Sequence, residues 1–508
     1  MSERVRFFKS GALLTVVALT MRTVIMLFGA FISRTVGAEG TGLYTVVMTV
    51  YSFAVTFATS GVSLTVTRLV ASAIGEGRPD RVRGVMKAAF LYSVTFGAVA
   101  TAALFLGADL IGNMALGDPR TVSSLRVLAF SLIPCALGAV VSGYFVGVRR
   151  IGFNAVTQVM MQLLKISVTV MLVVKMAPEG IESAVVALCI GMTVTEVLGF
   201  VLQLAELIWD SRRSGYVGKG SEELSFVTKT AIPLALSAYV RSAFLTLEHI
   251  LIPKRLKDGG ESDSEAYSHY GTLHGMALPV ILYPMTPLSS FSGLLVPEFA
   301  AESAAHRQDR INRIASEAMN TTLAYATVCA VILFAFSNEL GYAVYDSYEA
   351  GYYISMLSLV VPIMYLDHVT DSMLKGIGEQ VFSMWVNITD SILSIVLVWI
   401  LIPKLGILGY AIVIVIMEAY NFALSLWRLG SKVRFSLSPI KCFLMPLVSS
   451  LAASHLSDKL FCFGGSSTPA VWIALKILFT VCAVVFAYQI LGFALNYILV
   501  KCRKPENA

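Results

Sequence analysis

Residues 10–33 read SGALLTVVALTMRTVIMLFGAFIS, a continuous apolar run whose single charge, Arg22, falls near its middle. At 1.5 Å of rise per residue, a helix of this length crosses the ~30 Å hydrocarbon core of a bilayer. A lipid-facing strand would alternate in segments of about ten residues instead. Arg4, Arg6 and Lys9 precede the run, but it is too long for a signal-peptide core and no small-residue cleavage site follows. It is expected to stay as a first transmembrane helix. Outward from it the pattern recurs: fourteen such segments run from 10–33 and 43–73 to 440–457 and 470–499. The expected fold class is all-α, a polytopic membrane protein of about fourteen transmembrane helices.

The composition agrees. Of 508 residues, 56% are hydrophobic and 14% charged, against roughly 25% charged in soluble domains. With a mean hydropathy of +0.76, this excludes a soluble enzyme, a secreted disulfide scaffold and a disordered chain. The seven cysteines contain no C-x-x-C pair, so no metal site or disulfide framework is expected. A net charge of +6 does not imply nucleic acid. With the N-terminus placed inside, 23 Lys and Arg fall in inner loops and tails and eight in outer ones, the asymmetry that orients membrane proteins. Both termini are expected to be cytoplasmic.

Polar and Gly/Pro landmarks recur at one spacing. Arg78-Pro79-Asp80-Arg81-Val82 returns as Arg307-Gln308-Asp309-Arg310-Ile311, Pro134 as Pro362, Gly147 as Gly376, Gly180-Ile181 as Gly406-Ile407, and Glu196-x-x-x-Phe200 as Glu418-x-x-x-Phe422. The order is preserved and the offset stays between 222 and 229. Two related six-helix halves are expected, 1–209 and 226–430, with a cytoplasmic linker at 210–225 and a C-terminal helix pair with a tail at 431–508. Six helices return the chain to the same side, so an axis along the membrane normal relates the halves.

An ionisable side chain at mid-bilayer costs about 2.5–3.5 kcal/mol on insertion scales, and is expected to face a cavity or a partner. Arg22 and Arg241 lie at similar depth in the first helix of each half. Two guanidinium groups so placed repel unless an anion joins them, and their fork geometry suits phosphate or carboxylate. The bland alternative is separate bridges, such as Arg241 to Glu248. Arg68 and Lys165 extend this basic set as substrate-binding candidates, although Arg68 is near enough to the inner end of its helix to snorkel. Acidic residues gather in the second half. Glu248, Asp367, Asn387 and Asp390 are the candidates for coupling to Na⁺ or H⁺, with Asp371 one turn from Asp367. Glu196 and Glu418, being repeat-related, read as structural. Gly37-x-x-Gly40-x-Gly42 joins two membrane helices and reads as a turn rather than a dinucleotide loop. Gly218-Lys219-Gly220-Ser221 lacks the upstream glycine of a phosphate loop, and Asn320-Thr321-Thr322 is a poor glycosylation acceptor at a span boundary.

Gly37-Ala-Glu-Gly40-Thr-Gly42-Leu-Tyr44, Ser60-Gly61-Val-Ser63 with Thr67-Arg68-Leu-Val-Ala71, and Ser292-Gly293-Leu-Leu-Val-Pro297-Glu298 resemble the polysaccharide-transport branch of the multidrug/oligosaccharidyl-lipid/polysaccharide exporter superfamily, nearest its stage V sporulation protein B-like group. The resemblance implies two lobes that open alternately to each side of a bacterial cytoplasmic membrane, no catalysis and no cofactor. It implies a polyprenyl-pyrophosphate-linked saccharide as substrate, membrane lipids around a terminal helix pair, and cell-wall synthesis enzymes as partners. Arg22 and Arg241 match the family's cavity arginines by helix and depth. Arg68 matches a sequence motif only, and Glu248 with Asn387 and Asp390 fits a Na⁺ site of some members approximately. A cation-coupled multidrug antiporter is the first alternative, disfavoured because Arg22 and Arg241 repel cationic cargo. A polyprenyl-dependent membrane glycosyltransferase is the second, disfavoured because the longest outer loop is only 254–269.

Overall fold

The structure is a computed structural model that describes residues 3–76, 78–214, 224–461 and 470–502; the inter-half stretch 215–223, with Gly218 to Ser221, lies outside it. Among the described residues there is no strand. In chain order the helices are α1 Glu3–Thr59, α2 Val62–Gly75, α3 Pro79–Leu110, α4 Arg120–Ala129, α5 Leu132–Gly147, α6 Ile151–Met176 and α7 Ile181–Ser214. They continue as α8 Leu224–Asp258, α9 Asp263–Tyr270, α10 Leu278–Leu282, α11 Met285–Ala304, α12 Gln308–Ala335, α13 Ser337–Tyr345, α14 Tyr348–Ser358, α15 Val361–Gly376, α16 Gln380–Leu405 and α17 Ile407–Lys432. Helices α18 Met445–Leu460 and α19 Ala470–Cys502 complete the chain.

The repeat is visible in the backbone. α5 and α15 begin and end at one offset, Leu132 with Val361 and Gly147 with Gly376, and α6 and α16 keep it, Ile151 with Gln380 and Met176 with Leu405. Left-handed residues recur at the same offset, Gly117 (φ 66°) with Asp346 (φ 57°) and Arg149 (φ 60°) with Gly378 (φ 87°). Proline explains the kinks: lacking an N–H and crowding the carbonyl four residues back, Pro134 and Pro362 each bend a span, by 41° between α4 and α5 and by 60° between α14 and α15. Packing repeats too. Gly147 lets α5 approach the Thr67 carbonyl and Val70 of α2, and Gly376 lets α15 approach the Val296 carbonyl and Phe299 of α11. Lipid tails supply no hydrophobic drive between helices, so close approach at small residues does this work.

Fourteen spans are expected from the sequence, whereas nine described helices are long and apolar enough to cross a membrane, or up to twelve if each bent pair is one span. The shortfall has two sources. The first two segments count once in that number, although Gly37, at φ 73° and ψ −178°, kinks α1 into two helices. α8, carrying Lys229, Arg241 and Glu248, is not among the apolar set.

The chain forms two compact units, and these cut it differently from the repeat. The first contains Met1–Arg34, Thr272–Leu397 and Ile407–Ala508; the second contains Thr35–Gly271 and Val398–Gly406. In the first unit, Thr23 Oγ1 and Tyr283 Oη are 2.8 Å apart, and Arg34 donates to the carbonyls of Ala343 and Val344. In the second, Tyr239 Oη of α8 donates to the Phe57 carbonyl at 3.1 Å, above a core that includes Val66, Val70, Val85, Tyr144 and Phe145. Each half's first helix thus joins helices of the other half.

The terminal pair belongs to the first unit and is held by two polar devices. Residues 433–438 run extended along α12. Gln308 donates to the Lys432 carbonyl, Asn312 accepts from Arg434 N, Ser316 from Ser436 N and Asn320 from Ser438 N. Four helical residues rise ~6 Å, close to the ~6.6 Å of two extended residues, so the two periods stay in step. Asn320 also donates to the Ser436 carbonyl. On α19, Lys476 bridges Glu339 at 2.8 Å and Asp458 at 2.7 Å over the Phe336 ring.

Candidate functional site

In the first unit Arg22 sits half-buried in α1, within electrostatic reach of the Tyr345 hydroxyl. Among the described residues no carboxylate pairs with it. Arg241, exposed on α8 of the second unit, forms no ion pair with Glu248. That bridge, the bland alternative to an anion site, is therefore absent among the described residues. Arg68 is exposed on α2, one residue past Thr67, whose hydroxyl donates to the Gly143 carbonyl at 3.0 Å. Lys165 has an internal counter-charge: it is half-buried on α6 and interacts with Glu196 of α7. Thr169, one turn further along α6, abuts Gly191 of α7.

The acidic candidates divide between the units. Asp367 of α15, Asp390 of α16 and Glu418 of α17 interact with one another in the first unit. Ser425 hydrogen-bonds Asp367, and Asp367 Oδ1 and Asn421 Oδ1 are buried without a hydrogen-bond partner. Three carboxylates in low dielectric repel unless a proton or a cation neutralises them. No group of three or more His, Cys, Asp or Glu among the described residues has metal-holding geometry. Asn387 spends its amide on the Ser383 carbonyl of its own helix at 2.7 Å. Asp371 turns instead to Lys375, 2.5 Å away. Glu248 lies in the second unit beside His249, whose Nδ1 is 3.0 Å from Tyr270 Oη.

Glu418 is the residue that sequence reasoning set aside. The signal was available in the repeat: at the offset that carries Gly147 to Gly376, the place of Lys165 is taken by Ser394, leaving the second-half glutamate without the lysine that Glu196 has.

A family model described as polysaccharide biosynthesis protein matches residues 7–301, and one described as MatE matches residues 273–400. Stage V sporulation protein B of Bacillus subtilis (strain 168) is 23% identical over 421 residues, covering 80% of each chain. The solved lipid II flippase MurJ, in its inward closed conformation, superposes with a TM-score of 0.70 at 14% identity, over 94% of this chain and 99% of that one. An inward-facing multidrug resistance MATE family transporter of the MOP superfamily superposes at 0.66 with 15% identity, over 81% and 95%. The fold is the one these transporters share.

Proposed function

We propose, from the premise that the chain belongs to the polysaccharide biosynthesis protein family, that it is a flippase. Its cargo in this reading is a saccharide on an undecaprenyl-pyrophosphate carrier, such as a peptidoglycan precursor, moved from the inner to the outer leaflet of the bacterial cytoplasmic membrane. No bond is made or broken. Arg22 and Arg241 serve as phosphate ligands. The observation that carries the reading is that both arginines, placed within helices of a membrane protein, lack a carboxylate partner among the described residues. A guanidinium held in that way is free to take a multivalent anion. Lys165 has Glu196 beside it and acts as an internal neutraliser before it acts as a ligand; Arg68 remains an interfacial contact to the same headgroup. Asp367, Asp390 and Glu418 carry the coupling proton or Na⁺, with Glu248 and Asn387 outside that cluster.

Native mass spectrometry of the purified protein is expected to show a co-bound lipid-linked saccharide. Arg22→Ala with Arg241→Ala should lower its occupancy by at least about tenfold, the equivalent of ~1.4 kcal/mol. Unchanged occupancy and unchanged transfer of fluorescent lipid II in vesicles would sink the proposal. The multidrug reading has one observation in its favour, the shared fold with the MATE transporter; ion-driven efflux of a cationic dye from vesicles would establish it.

A further inference from the structure

In the first unit three tyrosines gather at one helix break. Between α10 and α11 the chain bends by 61° at Tyr283-Pro284, where the missing proline N–H and the crowding of the preceding turn interrupt the backbone ladder. Carbonyls freed in a membrane segment need donors. Tyr365 Oη of α15 donates to the Ile281 carbonyl at 2.8 Å, and Tyr325 Oη of α12 donates to the Pro284 carbonyl at 2.6 Å; the two rings stack with centroids 6.3 Å apart. The backbone is thus held on both sides of Tyr283. The Tyr283 hydroxyl itself goes to α1, 2.8 Å from Thr23 Oγ1. Thr23 gives its one hydroxyl proton to the Leu19 carbonyl, so Tyr283 is the donor of this bond. Eleven residues further along α1, Arg34 donates to the carbonyls of Ala343 and Val344, in the last turn of α13, where a cation also meets the negative end of the helix dipole. Eleven residues are close to three turns, so Thr23 and Arg34 stand on one face of α1, about 16 Å apart along its axis. Arg22 lies about 100° round from that face, half-buried and without a carboxylate partner among the described residues.

We infer that Tyr283 is a positioning residue for Arg22: the hydrogen bond it donates to Thr23 sets the rotation of α1 about its axis, while the grip of Arg34 on α13 sets its height. The inference rests on the flippase reading, in which Arg22 is a phosphate ligand. Lipid tails supply no hydrophobic force that selects one rotation of a membrane helix over another, so polar contacts select it. Arg22 and Thr23 are neighbours on one helix, and fixing the direction of the second fixes that of the first. A guanidinium takes two phosphate oxygens only along its planar fork, which makes this rotation a condition of tight binding. The bonds from Tyr325 and Tyr365 give Tyr283 a fixed mount. Neither the Tyr283 nor the Thr23 hydroxyl needs to touch the cargo.

The test uses the full-length chain, with undecaprenyl pyrophosphate as the probe. Tyr283→Phe and Thr23→Val should each weaken its binding by about five- to tenfold, the strength of one net hydrogen bond. The double variant should lose no more than either alone, because all three lack the same bond. Thr23→Ser, which keeps the hydroxyl, should recover most of what Thr23→Val loses. In an Arg22→Ala background Tyr283→Phe should cost nothing further, a pattern that a merely structural bond would not give. Should Tyr283→Phe fail to fold, Thr23→Val removes the same bond from the other side. Separately, in a chain whose seven native cysteines are replaced, single cysteines are placed in turn at Thr20, Met21, Arg22, Val24, Ile25 and Met26 and labelled with a membrane-impermeant maleimide in the absence of substrate. The labelling should rise and fall with the helical period, and Tyr283→Phe should flatten it. An unchanged profile overturns the inference, and so does a loss of affinity that is equal with and without Arg22. If the unaltered chain binds no undecaprenyl pyrophosphate, the cargo reading fails and the labelling profile alone decides the positioning role.

Discussion

Lys165 and Ser394 occupy matching places in the two halves, and the difference of one ammonium group changes what the neighbouring glutamate does. Glu196 has a resident cation, whereas Glu418 shares its surroundings with Asp367 and Asp390. Glu418→Gln should relieve repulsion, raising the thermal unfolding temperature by a few degrees while removing the dependence of transport on a Na⁺ or proton gradient. Lys165→Ser should do the opposite to stability and cost about 1–3 kcal/mol by stranding Glu196. Denaturation scans on both variants check the pair, and equal shifts in one direction would refute the contrast. Outside the spans, Glu379 accepts from Arg428 at 2.8 Å with Lys432 at 3.3 Å. The Arg428 hydrogen bond, aided by Lys432, holds this carboxyl below the usual carboxylate range. A depressed carboxyl stabilises the fold above its unfolded value of about 4.3 and loses that contribution as pH falls through its lower folded value. Thermal unfolding followed from pH 6 to pH 3 should therefore show an acid-side loss that is smaller in Arg428→Ala.

At the scale of elements, the glycine at the end of each bent span sets how closely it meets its neighbour. A Cβ at Gly376 would stand 2.6 Å from Phe299 Cβ and 3.0 Å from the Val296 carbonyl. Gly376→Ala must push α11 and α15 apart, at about 1–3 kcal/mol. Gly147→Ala, 3.0 Å from Val70 Cβ and 3.1 Å from the Thr67 carbonyl, should be milder because no contact falls below 3.0 Å. Unfolding midpoints of the two variants in detergent give the comparison, and a larger loss at Gly147 would contradict it. These elements were legible early: Pro134, Pro362, Gly147 and Gly376 are local signals whose effects stay within a turn or two. The extended clip on α12 was not. Gln308, Asn312, Ser316 and Asn320 show a four-residue spacing, but nothing in 433–438 marks it as their partner.

Across the whole molecule, the halves keep geometry while exchanging charge. In the second unit Arg150 pairs with buried Asp210, which also accepts from Tyr144 Oη at 2.7 Å. In the first unit Glu379 takes the place of Arg150, each standing one residue before the first of its helix, α16 or α6. Its partner Lys432 follows Asp210 at the offset of Glu196 to Glu418. Exchanged partners would repel, so the reversal steers each helical corner to its own half. Arg150→Glu alone should leave Asp210 beside a like charge and lower folded yield severalfold; adding Asp210→Lys should recover the pair, as judged by monodisperse protein from a fixed culture volume. No recovery would mean that the pair serves another purpose.

By itself the sequence determined the helical class, the duplication and the set of charges within the apolar segments, because apolar length, recurring landmarks and intramembrane cost are all written along the chain. The tertiary structure decided which polar groups meet: that Asp371 turns to Lys375, that Glu418 joins Asp367 and Asp390, and that Thr23 meets Tyr283. These depend on the rotation of each helix about its axis. In lipid, where the outer face is as apolar as the packed one, the pattern of hydrophobic residues carries little record of that rotation.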